Sequence, residues 1–491
     1  MKQLTPEACY RAIQTRDPRF DGRFFVGVTS TGIYCRPVCP ARTPKFENCR
    51  FFPSAAAAQA AKFRPCLRCR PETAPELASW RGTSNTVSRA LALIAEGALD
   101  GEADVEALAA RLGVGERQLR RLFQKHLGAS PVSVAQTRRI LFAKHLLHET
   151  QMPMANVAFA AGFGSVRRFN ETFKALFRRS PSALRRKGLR SDAGAPITLF
   201  IRYRAPYDWD AMLAYLAARA IAGVECVERG IYRRTALVDG VCGTVEAAHV
   251  AARNSLKITI RIPRVPSVRT LPAIVGQVRR VFDLNADVTT IGAHLARDPM
   301  LASLVARRPG LRAPGAWDGF ELAVRAVLGQ QITVEAARQL ADKLVAICSQ
   351  PLLSPSGDDR LTHLFPPASC VASTDLALLG MPAARRATIH ALAHAVVADP
   401  QLLEAQVTME DAIARLQTIP GIGTWTAEYI AIRALREPDA FPASDVALLR
   451  GAARLAGVRP TPMQLLELAE PWRPWRAYAA QHLWAAEVVH G

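Results

Sequence analysis

The sequence predicts a multidomain protein, mainly α with α+β parts, on three observations. The chain has 491 residues, too many for one hydrophobic core at roughly 100–200 residues per domain. Apolar residues recur at helical spacing through two long stretches, about 84–187 and from about 286 onward. Before and between them lie stretches with strand-like pieces, the first carrying a cluster of cysteines. The expected parts are residues 1–78, 82–188, 196–285 and 286–491. "RPETAPELASWRGTSN" and "KGLRSDAGAP" are read as linkers.

Hydrophobic residues make up 49% of the chain, so each part can bury a core. The net charge of +21 is unusual. Such a field attracts polyanions, with nucleic acid as the default partner and an anionic membrane surface as the weaker alternative. No apolar run is long enough to span a bilayer, so no membrane partner is expected. The opening "MKQLTPEACYRAIQTRDPRF" lacks the apolar core of a signal peptide. A cytoplasmic protein with reduced thiols is therefore expected. Of its ten cysteines, Cys9, Cys49, Cys226, Cys242, Cys348 and Cys370 are scattered and read as ordinary thiols.

In the first part "RFFVGV" and "CRFFPS" read as strands, and Ser54–Ala61 as an Ala-rich helix. "TGIYCRPVCPAR" holds Cys35 and Cys39 at CxxxC spacing, and "FRPCLRCRPE" holds Cys66 and Cys69 at CxxC spacing. Four such thiolates fit one tetrahedral zinc site of net charge about −2. Arg36, Arg42, Arg64, Arg68 and Arg70 crowd around it. Spacing alone favours a structural zinc knuckle; the arginines allow a second reading, in which they hold a DNA phosphate against a nucleophilic sulfur. "STGIYCRPVCPAR", "ENCRFF" and "FRPCLRC", spread over Asp17–Pro71, resemble the N-terminal domain of the Ada family of methylation-damage response proteins. The resemblance implies that Cys35 accepts a methyl group irreversibly from a DNA methyl phosphotriester, with Cys39, Cys66 and Cys69 as permanent zinc ligands. Loss of one negative charge would then raise DNA affinity. Arg36 and Arg42 would seat the DNA backbone.

In the second part, "DVEALAARLGVGERQLRRLFQKHLG" has the form helix, turn, helix, with Arg117, Arg120 and Arg121 on its second helix. A second copy, "PMANVAFAAGFGSVRRFNETFKALFRRSP", carries Arg167, Arg168 and Asn170 there. From Ala161 to Arg190, nine basic residues face one acidic residue. Pattern alone divides evenly between a bundle with a solvated basic face and two readers of successive major grooves. "AAGFGS…RRFNETFKALFRRSPSALRR" resembles the AraC-type regulator module, which implies the second.

In the third part "ITLFIRY" and "LKITIRI" read as strands, and "YDWDAMLAYLAARA" as an amphipathic helix between them. In the fourth, "TIPGIGTWTAEYIAIRAL" joins two helices through Pro420–Gly423. Its glycines let the backbone approach closely and leave N–H groups for a phosphate at Gly421, Gly423 and Thr424. Asp445 in "FPASDVALLRGAARL" stands where a helix N-cap would, and capping is its plain role. Hairpin and Asp together resemble the helix-hairpin-helix DNA glycosylases. Further strings from Ile197 to Val488, among them "RRPGLRAPGAWDGFELAVRAVLGQQITV" and "WRPWRAYAAQHLW", are similar to the AlkA-like alkyladenine branch.

That resemblance implies a TATA-binding-protein-like α+β domain at 196–285 packed on a glycosylase domain. It implies base flipping, with Trp425, Tyr429 and Trp484 as an aromatic wall for a cationic base; core packing is their plain alternative. Asp445 would stabilise positive charge on the sugar. Trp425 occupies the place of the Schiff-base lysine of bifunctional relatives, so base removal without lyase chemistry is expected. Gln331 stands where a stack-filling leucine often does, and Ser444 where a second acid can occur. A cation on the carbonyls of Gln417, Ile419 and Ile422 is a further expectation. No terminal cysteine quartet follows Cys370, so no iron–sulfur cluster is expected, and the Pro-Cys-His-Arg string of a second methyl acceptor is missing.

The expectation is a bacterial, nucleoid-associated protein that accepts methyl groups at Cys35, binds promoter DNA, engages RNA polymerase and excises alkylated purines such as 3-methyladenine from double-stranded DNA. The rivals are a regulator whose glycosylase half is only a DNA clamp, and a glycosylase with an inert zinc module.

Overall fold

The structure, a computed structural model, describes residues 4–75, 85–95, 97–100, 104–185, 196–238, 241–262, 271–349, 352, 359–404 and 408–488. Most of both expected linkers lies outside the described residues.

The first part begins with a helix, Pro6–Gln14, capped by Thr5. It is followed by a four-stranded sheet of β1 (Phe25–Val28), β2 (Ile33–Cys35), β3 (Cys49–Phe52) and β4 (Arg64–Pro65) in the order β3-β1-β2-β4. Gly27 is required in β1, because a Cβ there would lie within 3 Å of the Phe52 and Phe63 rings. The Ala-rich helix forms at Ala55–Ala60 with Ser54 as its cap. Strands β2 and β4 run parallel, and the Cys66 N–H donates to the Tyr34 carbonyl at 3.0 Å. The sheet thus brings the two cysteine pairs together.

The second part contains both helix-turn-helix units. The first, Val105–Arg111 and Glu116–Leu127, packs Leu108, Leu119 and Phe123 into its own small core. A long helix, Pro131–Glu149, leads to the second unit, Met154–Ala160 and Val166–Phe177. Phe169, Phe173 and Phe177 lie on one face at four-residue spacing. They enter a core continuous with Leu199, Ile258 and Ile260 of the following sheet. The second regulator unit and the third part therefore share one hydrophobic interior.

That sheet holds β5 (Ile197–Arg202), β6 (Glu225–Glu228), β7 (Ile231–Val238), β8 (Val241–Val250) and β9 (Ser255–Arg261) in the order β5-β9-β8-β7-β6, all antiparallel. Strands β6 to β8 gave no clear sequence signal. Their charges disguise them: Arg234 of β7 is buried, with ion pairs to Glu225 at 3.3 Å and Glu321 at 2.8 Å. The rest of the chain is helical around two cores. One contains the hairpin residues Ile419, Ile422 and Ile430, and the other contains Leu448, Trp472 and Leu483.

Buried ion pairs tie the parts together. Arg23 of the first part reaches Asp287, which Arg204 also holds at 2.6 Å. Arg89 of the second part pairs with Glu437 in the loop leading to Asp445. Lys144 and Glu72, both fully buried, meet at 2.8 Å across the zinc and regulator parts. Burial alone would push the Glu72 carboxyl up; Lys144 and Arg70 outweigh it and hold it below the usual carboxylate range. Removing one partner of a buried pair costs up to about 3–5 kcal/mol, but Arg70 still pairs with Glu72 at 3.0 Å. Lys144→Met is therefore expected to lower unfolding stability by less, about 1–3 kcal/mol, in denaturant titration, and the double variant with Glu72→Met to recover most of it.

Candidate functional site

The base-excision candidate is built on the hairpin. The helix Met409–Gln417 and the helix Thr424–Arg433 are joined through Gly421, whose φ is +85°. A Cβ on Gly421 would lie 1.9 Å from Thr388 Oγ1, so only glycine fits. Gly423 begins the second helix without a side-chain cap, and open space surrounds its would-be Cβ. The first N–H groups of that helix are thus left for an anion. Thr424 is exposed and its hydroxyl accepts from Gln417 Nε2 at 2.9 Å.

Asp445 does cap a helix, Val446–Ala456, its Oδ1 accepting from the Leu448 N–H at 2.9 Å. It also receives two indole N–H groups: Trp484 Nε1 donates to Oδ1 at 3.0 Å and Trp425 Nε1 to Oδ2 at 2.7 Å. An ionised carboxylate has about four acceptor positions, so three are filled and Oδ2 retains one. The tryptophans that sequence reasoning assigned to a wall or a core are thus also the clamp of the carboxylate.

Trp425 and Tyr429, four residues apart on one helix, stack with centroids 5.5 Å apart and planes 14° apart. Trp484 meets Tyr429 edge-on at 6.2 Å. Buried Arg433 lies over Tyr429 and Trp484 at 5.6 and 5.0 Å. Tyr215 of the third part closes the back, its hydroxyl 3.2 Å from that of Tyr429.

Sequence reasoning missed Arg433, Tyr215, Gln330 and Glu428, because each acts through a partner distant in the chain. Gln330 donates to the Gly421 carbonyl and to Thr426 Oγ1, both at 3.0 Å, bracing the turn to the hairpin. Its neighbour Gln331 is exposed at φ +60°, a left-handed conformation unfavourable for a residue with a side chain. Beside it Ile332 is 37% exposed, so the turn offers apolar surface that glutamine alone does not.

Glu428 accepts from the Phe441 N–H at 3.0 Å and so fixes the loop before Asp445. Burial pushes its carboxyl up to about 7, against the pull of the Phe441 N–H and Arg476.

The thiolate cleft lies elsewhere. The four sulfurs of Cys35, Cys39, Cys66 and Cys69 lie within 4.8 Å of one another. Tetrahedral zinc–sulfur bonds place sulfurs about 3.8 Å apart, so the set fits the metal. A cleft of about 430 Å³ is lined by Cys35, Cys39 and Cys66, by Arg42, Arg64 and Arg68, and by Phe177 of the second regulator unit. Arg42 and Arg68 are exposed.

Arg36, expected on DNA, is not available to it. The residue is 4% exposed, and its side chain pairs with Asp21 and donates to the Cys69 carbonyl at 3.0 Å and to Thr73 Oγ1 at 2.7 Å. It supports the zinc loop because its guanidinium is consumed inside. Arg70 likewise pairs with Glu72 and Glu149, at 3.0 and 3.1 Å.

On the second helices of the two units, Arg117, Arg120, Arg121, Arg167, Arg168 and Asn170 are all exposed. Arg120 pairs with Glu116, and Arg167 with Glu171 at 2.9 Å. Such surface pairs are weak and yield readily to phosphate.

These sites and this fold define a modular DNA-repair protein that also carries a DNA-binding helix-turn-helix domain. Family models match as follows: the metal binding domain of Ada at residues 8–72, a helix-turn-helix domain at 108–187, the AlkA N-terminal domain at 198–318, and the HhH-GPD superfamily base excision DNA repair protein at 324–474. The Mycobacterium tuberculosis "Probable bifunctional transcriptional activator/DNA repair enzyme AlkA" is 41% identical over 483 residues, covering 97% of this chain and 96% of that protein. The Escherichia coli DNA-3-methyladenine glycosylase 2 is 35% identical over 291 residues, covering 58% of this chain and 96% of that protein. A solved 3-methyladenine DNA-glycosylase from Archaeoglobus fulgidus is similar in fold, with a TM-score of 0.52 at 22% identity over 60% of this chain and 99% of that one. The chain belongs to the family of bifunctional transcriptional activator/DNA repair enzymes that join an Ada-type zinc domain to an AlkA-type glycosylase. Among the described residues it has one zinc site, and no described helix is long and apolar enough to cross a membrane.

Two outcomes follow from this geometry. Trp425→Phe keeps a ring but removes a donor to Asp445. Single-turnover release of alkylated base is expected to fall about ten- to a hundredfold, with DNA affinity unchanged. Glu428 binds its proton more tightly folded than unfolded, so it lowers stability as pH rises from 4.5 to about 7 and adds no slope above that. Denaturant midpoints of Glu428→Gln, compared with wild type across that window, are expected to lack this decline.

Proposed function

We propose that this protein excises alkylated purines from duplex DNA by hydrolysis and accepts methyl groups from DNA methyl phosphotriesters at Cys35. The observation that carries the first activity is the clamped carboxylate of Asp445 beside Trp425, Tyr429 and Trp484. Its relatives' names as DNA-3-methyladenine glycosylases supply the substrate class.

A flipped purine bearing an extra alkyl group on a ring nitrogen is cationic. When its N-glycosidic bond breaks, both bonding electrons go to the base, which leaves neutral and needs no acid. Positive charge then develops on the sugar beside the free position of Asp445 Oδ2. The carboxylate stabilises that charge, and water adds at the anomeric carbon, losing one proton to solvent. Hairpin N–H groups at Gly421, Gly423 and Thr424 anchor the strand, and Gln331 with Ile332 fills the vacated stack. A cation on the carbonyls of Gln417, Ile419 and Ile422 would strengthen the anchor. Arg433 already spends part of the ring electron density, so the pocket's preference for cations is moderated and neutral lesions are not refused by charge alone.

The second activity rests on the arginine-lined cleft over three of the four sulfurs. Bound zinc supplies charge that keeps the cysteines ionised. Arg42, Arg64 and Arg68 hold the phosphotriester. The Cys35 sulfur attacks the methyl carbon, the carbon–oxygen bond breaks, and its electrons stay on the phosphate as a diester anion. Arg120, Arg121, Arg167 and Arg168 then hold promoter DNA, and engagement of RNA polymerase follows from the activator role named for the mycobacterial relative.

The test uses one protein and two readouts. Asp445→Asn should lower release of 3-methyladenine by about 10²- to 10³-fold while the Cys35 peptide still gains one methyl mass on methylated DNA. Equal base release by wild type and variant would defeat the first activity, and no mass gain in either would defeat the second.

A further inference from the structure

A cleft of about 210 Å³ opens where the zinc part, the regulator part and the five-stranded sheet meet. Arg70, Thr73, Glu149, Arg202, Arg253 and Ser255 line it, with Phe200 as an apolar wall. It is separate from the thiolate cleft and from the aromatic pocket around Asp445, and neither activity uses it.

The sheet register builds its charged side. Arg202 ends β5 directly opposite Ser255 of β9. Phe200 lies two residues earlier on the same face as Arg202. Arg253, just before β9, lays its guanidinium over the Phe200 ring, 4.7 Å from the centroid. Arg70 comes from the zinc part and Glu149 from the end of the long helix Pro131–Glu149.

The charges do not balance. Glu149 is the one carboxylate of the lining, and it is paired with Arg70. Arg202 and Arg253 have no ion-pair or side-chain hydrogen-bond partner among the described residues. The hydroxyls do not answer them: Thr73 Oγ1 donates to the Arg70 carbonyl and Ser255 Oγ to the Arg253 carbonyl. Arg202 is half-buried; burial first, then Arg36 and Arg70, work against its charge, and Asp21 and Glu149 offset part of this. Arg253 is exposed, and two guanidiniums without a carboxylate partner in one cleft attract an oxyanion, a dianion most strongly. Their planar forks suit tetrahedral oxyanions. The volume, about seven waters' worth, admits a phosphoryl group with a small organic remainder.

We propose that this junction is a binding site for a small phosphomonoester dianion, held by Arg202 and Arg253 with Arg70 at its rim. The ligand touches three parts of the chain at once and so clamps the zinc part to the sheet.

The test is calorimetric titration of the full chain with inorganic phosphate and with ribose 5-phosphate, against chloride at matched ionic strength. Wild type binds both saturably, and Arg202→Gln with Arg253→Gln weakens both by about tenfold or more. The variant removes unpaired charge, so it folds; its unfolding temperature without ligand is equal to or above that of wild type. Equal phosphate affinity in variant and wild type, or no binding beyond chloride, overturns the proposal. A parallel titration with undamaged duplex distinguishes a DNA phosphate as the occupant. The salt slope is expected to be the same in both proteins, and a slope lower by about one per arginine in the variant would overturn the small-anion assignment.

Discussion

A carboxylate set among large rings loses much of its hydration, and that loss must be made good by protein donors. Asp445 meets this constraint with the Leu448 N–H and the two indole N–H groups of Trp425 and Trp484. The donors come from three helices: the hairpin helix, the helix that Asp445 caps, and the C-terminal helix Arg476–Val488. The two helical cores must therefore be in register for the carboxylate to be oriented. In the proposed reaction the same side chains would both form the wall for a flipped base and orient the carboxylate that answers its departure.

The regulatory half is not a loose appendage. Its second helix-turn-helix unit shares a hydrophobic interior with the third part, and Arg89 pairs with Glu437 in the loop that carries Asp445. Phe177, at the end of the second recognition helix, also lines the thiolate cleft. The methyl transfer proposed for Cys35 would thus change charge next to the second helix of that unit, which shares its core with the five-stranded sheet.

Much of this was legible in the chain. The cysteine spacing marked the four sulfurs that the structure brings together, and the helical periodicity marked both helix-turn-helix units. The hairpin glycines and Asp445 were visible because local conformation and capping fix their residue types. What stayed hidden depended on distant partners. Arg36 looked like one more basic residue beside the cysteines, yet Asp21 and Thr73 consume it. Arg234 made β7 look exposed, because nothing nearby in sequence announces Glu225 and Glu321. The indole N–H groups are invisible to any pattern of hydrophobicity, since a tryptophan at a core position reads the same with or without a donor role.

The central claim is that Asp445, without a lysine at the place of Trp425, removes a base by hydrolysis alone. The direct measurement incubates the full chain with a duplex containing one 3-methyladenine, adds borohydride, and analyses base, strand and protein. The account predicts free 3-methyladenine, an uncut strand with an abasic site, and no reduced protein–DNA adduct. A trapped adduct, or a duplex returned with its methylated base in place, would contradict it.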